Sequence, residues 1–402
     1  MNPTLAKQMN RNIHLFGIYK VFTKRVFLPL TTIYASQVAG LSVAEIGVTT
    51  AAGLVASLVF ETTTGFWADK HGRRNSARIG ALLACIATLM YVFFPSFAGI
   101  LLASIIIAMG YSFLSGSMDA LIHDSLVVLK RTNDYAKVAS RAQSLSLIVN
   151  AAIIALIPLL YPIDERLPFI VGALAYLILF SLASLLTEPP VHHDPEKAER
   201  TFVRAVRQIV TRKTVLFFST AGLAMALATA LVDLYNLSFI ELGLSPQYMG
   251  LLYAAGSVAG AAIGFVVHHL RHLSFKQYAT LDLSINIMVM AAIGLTQSLP
   301  LVIAAQIINM AMWRYQGIMY QHYILQIFGN TRYKATLLSI TNNFKIAHEI
   351  WLVLIFTGLA SQFGVLNAVS MGIWVVLAVW PVLMISISRL QRAKLQPVIV
   401  TQ

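Results

Sequence analysis

The sequence has 402 residues, of which 58% are hydrophobic and only 11% charged, and its mean hydropathy is +0.74. Soluble domains carry about 25% charged residues, so this composition excludes a soluble globular protein and indicates a membrane protein. A single cysteine, Cys85, excludes a disulfide within the chain and a metal site built on paired cysteines.

Twelve apolar stretches follow one another along the chain, each about as long as the roughly 20 residues that cross a bilayer. They cover 12–35, 45–66, 76–95, 99–122, 138–160, 168–187, 214–239, 247–267, 277–296, 299–325, 335–359 and 365–388. The sequence therefore predicts an all-α integral membrane protein with twelve transmembrane helices. The first and tenth stretches are the least regular, because they contain Lys20, Lys24, Arg25 and Arg314.

Lys and Arg residues lie almost entirely on one side of these predicted spans. Counting by side gives 23 on the side of both termini and one, Arg166, on the other, with five inside spans. Because positive residues stay on the cytoplasmic side, we expect an inner or plasma membrane protein with both termini in the cytoplasm. The net charge of +13 then follows from topology, and no nucleic-acid partner is expected.

The two halves of the chain repeat. GLSVAEIG at 40–47 returns as GLSPQYMG at 243–250, an offset of 203, and GFWADKHGRR at 65–74 returns in degraded form at 264–273. This predicts an N-terminal six-helix bundle over 1–187, a cytoplasmic loop over 188–213 and a C-terminal six-helix bundle over 214–402. The later part of the loop is predicted to form an amphipathic surface helix.

GFWADKHGRR resembles the signature G-x-x-x-D-(R/K)-x-G-R-(R/K) between helices two and three of the major facilitator superfamily. The residues that fill its positions are Gly65, Asp69, Lys70, Gly72, Arg73 and Arg74. SGSMDALIHDSL at 115–126 and ETTTG at 61–65 are similar to bacterial drug-efflux-like members, which are proton antiporters, although those carry Pro where this chain has Thr63. The resemblance implies two pseudo-symmetric bundles that rock around a central site, usually in a monomer.

The resemblance also assigns these residues a role as a conformational latch. Asp69 would cap the N-terminus of a facing helix, and an Arg of the motif would pair with Asp124 at the end of helix four. The glycines suit a six-residue polar turn. The alternative is a plain basic loop, with no function beyond topology.

Helices 1, 4, 7 and 10 line the central cavity in this superfamily, so charges in those spans are candidate substrate-binding residues. Lys20 and Lys24 are four residues apart and would share a helix face. There they would bind an anionic substrate. The alternatives are ion pairs with Asp119 or Glu61, or side chains that extend (snorkel) toward the cytoplasmic membrane surface. Arg314 suits carboxylates and phosphates. The alternative for Arg314 is an ion pair with Asp233. The aromatic candidates for the same site are Tyr235 and Tyr315.

Three acids are candidates for proton coupling, because burial of a carboxyl group favours its protonated form. They are Asp119, Asp233 and Glu349. A structural ion pair is the alternative for each, with Lys345 as the partner of Glu349, and His348 is a further candidate relay. Asp282 is expected to face the membrane interface.

The excess of cations over anions in the predicted cavity favours an anionic or zwitterionic small molecule. We therefore expect a secondary active transporter, a proton-coupled exporter of such a solute. The alternatives are a proton antiporter for lipophilic cations, an uptake symporter and a lipid flippase. The sequence has no HExxH, GxSxG or Walker motif, so neither an enzyme nor a cofactor is expected. His192 and His193 are expected to be solvated rather than to bind metal.

Overall fold

The computed structural model describes residues 3–190, 206, 209–270, 272–328 and 334–392, and most of these are helical. The first half contains α1 Pro3–Phe22, α2 Thr31–Gln37, α3 Val43–His71, α4 Arg73–Phe93, α5 Phe97–Leu114, α6 Ser117–Val128, α7 Tyr135–Leu156 and α8 Leu167–Leu185. The second half contains α9 Arg212–Ala230, α10 Val232–Glu241, α11 Met249–Leu270, α12 Phe275–Ala291, α13 Leu299–Phe328, α14 Lys334–Phe363 and α15 Val365–Arg392.

Nine helical segments within the described residues are long and apolar enough to cross a membrane. They are Val43–Glu61, Arg73–Phe93, Phe97–Val128, Thr132–Leu160, Leu167–Leu185, Thr214–Glu241, Phe275–Thr296, Thr336–Phe363 and Val365–Arg389. The stretches predicted at 12–35, 247–267 and 299–325 are largely helical but are not among these nine. An integral membrane protein follows from these segments, because their exposed apolar faces need lipid.

The chain divides into two compact units. The first unit consists of Met1–Leu41, Ala52–Glu199 and Pro246–Leu251, and the second of Ser42–Ala51, Arg200–Ser245 and Leu252–Gln402. In the first unit α4 packs against α5 and α8, and α1 packs against α7. In the second unit α9 packs against α14 and α15, and α12 packs against α13 and α15.

Small residues let α4 and α5 approach closely. A Cβ atom on Gly80 would lie 2.6 Å from the carbonyl oxygen of Gly110, and one on Gly110 would lie 2.9 Å from that of Gly80. Neither position has room for a side chain. In a membrane this close backbone contact takes the place of the hydrophobic driving force between helices.

Several of the predicted spans are interrupted helices. The first span breaks between α1 and α2, where a short 3₁₀ segment, Leu28–Leu30, carries Pro29 in its first turn. The fourth breaks between α5 and α6, where Gly116 has φ +69°. The ninth ends in a π-helical turn over Ala292–Thr296, a form found mostly as single turns within α-helices.

The Gly-Leu-Ser repeat has the same backbone role in both halves. Gly40 follows α2 with φ +67°, and Gly243 follows α10 with φ +93°. Both conformations suit glycine, which ends helices in this way. The amphipathic helix predicted in the central loop falls almost entirely outside the described residues.

Candidate functional site

The signature GFWADKHGRR is mostly helical. α3 continues to His71, so Gly65 lies within a helix, and a Cβ atom there would meet no heavy atom within 4 Å. The chain reverses at Gly72 alone, which has φ +96° and ψ +139°. The prediction of a six-residue turn is therefore wrong, because the polar residues after Gly65 extend α3 and only Gly72 needs the freedom of glycine.

Arg73 joins three helices of the first unit. Its guanidinium lies 2.5 Å from the carboxylate of Asp124 on α6 and 3.3 Å from that of Asp69 on α3. The side chains of Arg73 and Asp124 are only 12% and 8% exposed. The predicted partners are thus in contact, and the pair is largely shielded from water.

The N-terminus of α4 is capped by a residue that the sequence analysis did not single out. The carboxylate of Glu188 accepts the backbone N–H groups of Arg73 and Arg74, each at 2.8 Å. A negative charge is favoured at this end of a helix. The guanidinium of Arg74 donates to the carbonyl oxygen of Ser184 at 2.6 Å. Asp69, Arg73, Asp124 and Glu188 are called the loop cluster below. Lys70 is exposed.

Asn12 is a second residue that sequence reasoning missed. It is fully buried in α1, and its amide donates to the carbonyl oxygen of Thr187 at 2.8 Å and to the hydroxyl of Ser125 at 3.0 Å. Its side-chain oxygen accepts the backbone N–H of Thr187 at 3.0 Å. One side chain therefore links α1 to α6 and to the segment after α8. A single Asn in a polar N-terminal stretch gives no sequence signal of this.

Lys20 and Lys24 do not share a helix face. α1 ends at Phe22, so Lys24 lies in the irregular segment after it and is exposed. The ammonium group of Lys20 lies 2.8 Å from the carboxylate of Asp119, the ion pair that was the alternative to a substrate role. The Arg25 guanidinium lies 4.4 Å from the ring centroid of Tyr111, a cation–π contact.

Polar side chains satisfy the backbone where α1 ends. Ser146 donates to the carbonyl oxygen of Lys20 at 2.9 Å, and Asn150 to that of Val21 at 3.1 Å. The hydroxyl of Tyr111 donates to the carbonyl oxygen of Thr23 at 3.0 Å. Backbone left unpaired within a membrane would cost several kcal/mol per group, so these bonds make the break a stable feature.

In the second unit, the carboxylate of Asp233 accepts the hydroxyl of Thr50 at 2.7 Å. Tyr235, two residues later on α10, is completely buried. Within the part of the chain that the structure describes, its hydroxyl has no hydrogen-bond partner.

Arg314 lies on α13 and donates to the hydroxyl of Ser257 on α11. Its side chain packs closely over Gly260, where the Arg314 Cδ leaves no room for a Cβ atom. Arg314 is exposed, and no carboxylate of a described residue lies within 4.0 Å of its guanidinium. The ion pair with Asp233, which was the alternative role for Arg314, is therefore not among the described contacts. Tyr315 is half-buried beside it.

α14 carries an ion pair and a histidine with a defined proton. The ammonium group of Lys345 lies 3.5 Å from the carboxylate of Glu349, one turn away. His348 Nδ1 accepts the indole N–H of Trp351 at 2.9 Å, and Nε2 lies 2.9 Å from the hydroxyl of Ser219. Because an indole nitrogen only donates, the His348 ring is neutral with its proton on Nε2.

Asp282 on α12 is only 4% exposed, so the expectation that it faces the membrane interface is wrong. The amide of Gln316 donates to both of its carboxylate oxygens, at 3.1 and 2.9 Å, and the hydroxyl of Tyr320 donates at 3.2 Å. Both donors lie on α13. The sequence position, eight residues into α12, gave no sign of this packing.

No group of three or more His, Cys, Asp or Glu side chains that could hold a metal ion occurs among the described residues. His192 and His193 lie outside them, as does the side chain of His268 in the degraded copy of the signature.

These features define a class: an integral membrane protein of many helices, with ion pairs linking its membrane-embedded segments. Residues 18–345 match the sequence profile of the Major Facilitator Superfamily, so the chain belongs to that family, as its signature predicted.

Several known proteins are similar to this chain in sequence or in fold. The uncharacterised MFS-type transporter YxaM of Bacillus subtilis is 24% identical over 332 residues, 80% of this chain and 82% of that protein. The quinolone resistance protein NorA of Staphylococcus aureus is 22% identical over 265 residues, and the match spans 63% of this chain and 65% of NorA, just under two thirds. The crystal structure of the nucleoside transporter NupG superimposes with a TM-score of 0.75, covering 96% of this chain and 99% of NupG at 14% identity. At that identity the similarity to NupG supports the fold alone.

Proposed function

We propose that this protein is a secondary active transporter that moves a small anionic or zwitterionic organic solute by alternating access, as a proton-coupled exporter, and that it is not an enzyme. Family membership supports transport. Twelve membrane-crossing helices in two six-helix bundles (1–187 and 214–402, joined by the loop 188–213) and cytoplasmic termini belong to this proposal, because the basic residues fall on one side of the spans.

The environment of Arg314 is the main support for an anionic or zwitterionic solute. It is an exposed guanidinium on a helix that carries no other Lys, Arg, Asp or Glu, and its described hydrogen bond goes to the neutral hydroxyl of Ser257. A cation in a membrane segment is costly unless it is paired or functional. A solute carboxylate or phosphate would supply the missing bidentate partner. Tyr315 and Tyr235 of the second unit are further proposed solute-binding residues, and so, separately, is Lys24 of the first unit.

Lys20 and Asp119 are proposed to serve proton coupling rather than direct solute binding. Their 2.8 Å ion pair leaves Lys20 neutralised, so it adds little to the attraction of an anion. Protonation of Asp119 would break the pair and free the lysine. Asp233, held by Thr50, and Glu349, held by Lys345, are the other candidate proton carriers.

The loop cluster is proposed to act as the latch of the transport cycle. Its ion pairs join α3, α4 and α6, and the carboxylate of Glu188 holds the turn at Gly72. Exposure of the cluster to water would weaken these pairs, so opening the cytoplasmic side would favour their separation.

Multidrug export is the second candidate, and the match to NorA favours it. A lipophilic cation would then be exchanged for protons at Asp119 or Asp233. Organic-anion uptake and lipid flipping on the same fold remain further alternatives. We propose that the protein works as a monomer, with no cofactor, metal or nucleic acid.

The experiment is proton release by detergent-purified protein when solutes are added in unbuffered solution. The panel holds organic acids, a phosphorylated metabolite, a zwitterionic quinolone and a lipophilic cation. Anionic or zwitterionic solutes should release protons from the wild type and not from Arg314→Ala. The matched control is Arg131→Ala, which removes an exposed arginine paired with Asp134 and should behave as the wild type.

Proton release by the lipophilic cation alone, unaffected by Arg314→Ala, would contradict the anionic solute and favour multidrug antiport. Solute binding that leaves the proton balance unchanged in every variant would contradict proton coupling.

A further inference from the structure

Asp282 is a buried carboxylate whose described partners are all neutral. Gln316 and Tyr320, which donate to it from α13, are 2% and 0% exposed. Among the described residues no Lys, Arg or His nitrogen lies within 4.0 Å of its oxygens. It differs in this from Asp119, Asp124 and Glu349, each of which faces a cation.

The described ionisable groups in contact with Asp282 or with its partners are tyrosines. Tyr278 lies one turn before it on α12, Tyr320 donates to it from α13, and Tyr323 packs against the Tyr278 ring. The described side chains of α9 carry no ionisable group. Apart from Asp282, the charged residues of α12 and α15 lie in end turns: Lys276 in the first turn of α12, and Arg389 and Arg392 in the last turn of α15. α13 also carries Arg314 and His322, and neither lies within 4.0 Å of the Asp282 carboxylate. Among the described contacts, a negative charge at Asp282 is therefore stabilised by hydrogen bonds only.

Two opposing effects act on the protonation of such a carboxylate. Burial without a cation favours the protonated acid, and hydrogen bonds from Gln316 and Tyr320 favour the anion. A protonated Asp282 would need an acceptor for its own O–H. A rotation of the Gln316 amide group by 180° supplies this acceptor, because it puts Oε1 where the Nε2 donor was. The same two side chains thus serve both protonation states.

We propose that Asp282 is a proton-binding site of the second unit, held to α13 through Gln316 and Tyr320 in both protonation states. This inference rests on the proposed function only for its use in the transport cycle, in which Asp282 would join the proton carriers. Binding of the proton itself needs no solute, so it is tested separately.

The test is infrared difference spectroscopy of the purified full-length protein, titrated with pH in the absence of solute. The carbonyl band of a protonated carboxyl group should grow as pH falls in the wild type. That component should be lost in Asp282→Asn and kept in Asp119→Asn. Circular dichroism over the same pH range identifies the interval in which each variant stays folded.

Two tyrosine variants give a matched pair for the hydrogen bonds. Tyr320→Phe removes a donor to the carboxylate and should move the midpoint of the Asp282 band to higher pH by about one to two units. Tyr278→Phe removes a buried hydroxyl that has no hydrogen-bond partner among the described residues, and the midpoint should stay in place.

Asp282→Asn spectra that titrate as the wild type does would overturn the proposal, and so would an Asp282 band that never changes while the protein is folded. If the band titrates as expected but no solute is transported, only the proposed function fails. If proton-coupled transport persists and the Asp282 band is absent, only this inference fails.

Discussion

Replacing Asp124 with Asn tests whether the loop cluster holds the first unit together. The substitution keeps the size of the side chain and removes its charge. Arg73 then keeps Asp69, at 3.3 Å, as a charged partner but loses the carboxylate at 2.5 Å. Because Arg73 is only 12% exposed, water cannot readily replace the lost partner.

The expected loss of unfolding free energy is about 3 kcal/mol. Removing one partner of a buried ion pair costs about 3–5 kcal/mol, since the remaining charge stays buried. The low end of that range applies because Asp69 remains beside the guanidinium. The double variant Arg73→Gln with Asp124→Asn should lose less than the sum of the single losses, because it leaves no isolated Arg73 charge.

The assay is unfolding of the purified protein by a denaturing detergent in mixed micelles, followed by far-ultraviolet circular dichroism. Asp134→Asn is the control. It breaks an ion pair of 2.8 Å with Arg131 whose side chains are 39% and 50% exposed, and such surface pairs contribute about 0–1 kcal/mol. Equal losses for Asp124→Asn and Asp134→Asn, or additive losses in the double variant, would refute the reasoning.

Three further predictions concern single residues, and the first two are measured by the same unfolding assay. Gly72→Ala should lower the free energy of unfolding by about 1–3 kcal/mol, because φ is +96° there. Gly65→Ala lies inside α3 with open space around it and should leave the stability unchanged or slightly raised. Equal effects of the two substitutions would contradict this reasoning. Asn12→Ala should cost about 1–3 kcal/mol, since both backbone groups of Thr187 lose a partner, and a loss no larger than at an exposed Asn would contradict it. Tyr111→Phe should increase deuterium exchange around the break after α1, because the hydroxyl that holds it is gone; unchanged exchange there would count against this role.

The sequence predicted the family and the helical stretches because hydropathy and a spaced signature are local properties of the chain. The contact between Arg73 and Asp124 was also foreseen, through the resemblance. The cap by Glu188 was not, since it joins residues 115 positions apart and depends on where the segment after α8 ends. Helix propensity and charge patterns do not predict contacts between residues so far apart in the sequence.

Reasoning from helix periodicity failed where the helix stopped. Lys20 and Lys24 were assigned to one face on the assumption of a continuous first span, and the break after Phe22 removes that relation. Pro29 marks the region but not the residue at which α1 ends. Asp282 was misjudged for a different reason. Its burial depends on which face of α12 packs on α13, and its position near the start of the span does not give that face.

The measurement that tests the central claim most directly is solute accumulation in proteoliposomes under an imposed proton gradient, without ATP. We predict that an anionic or zwitterionic solute moves against its own gradient, opposite to the proton flow, and that a protonophore or Arg314→Ala abolishes the accumulation. Accumulation that persists with the protonophore present, or flux of the solute only down its own gradient whatever the proton gradient, would contradict proton-coupled secondary transport.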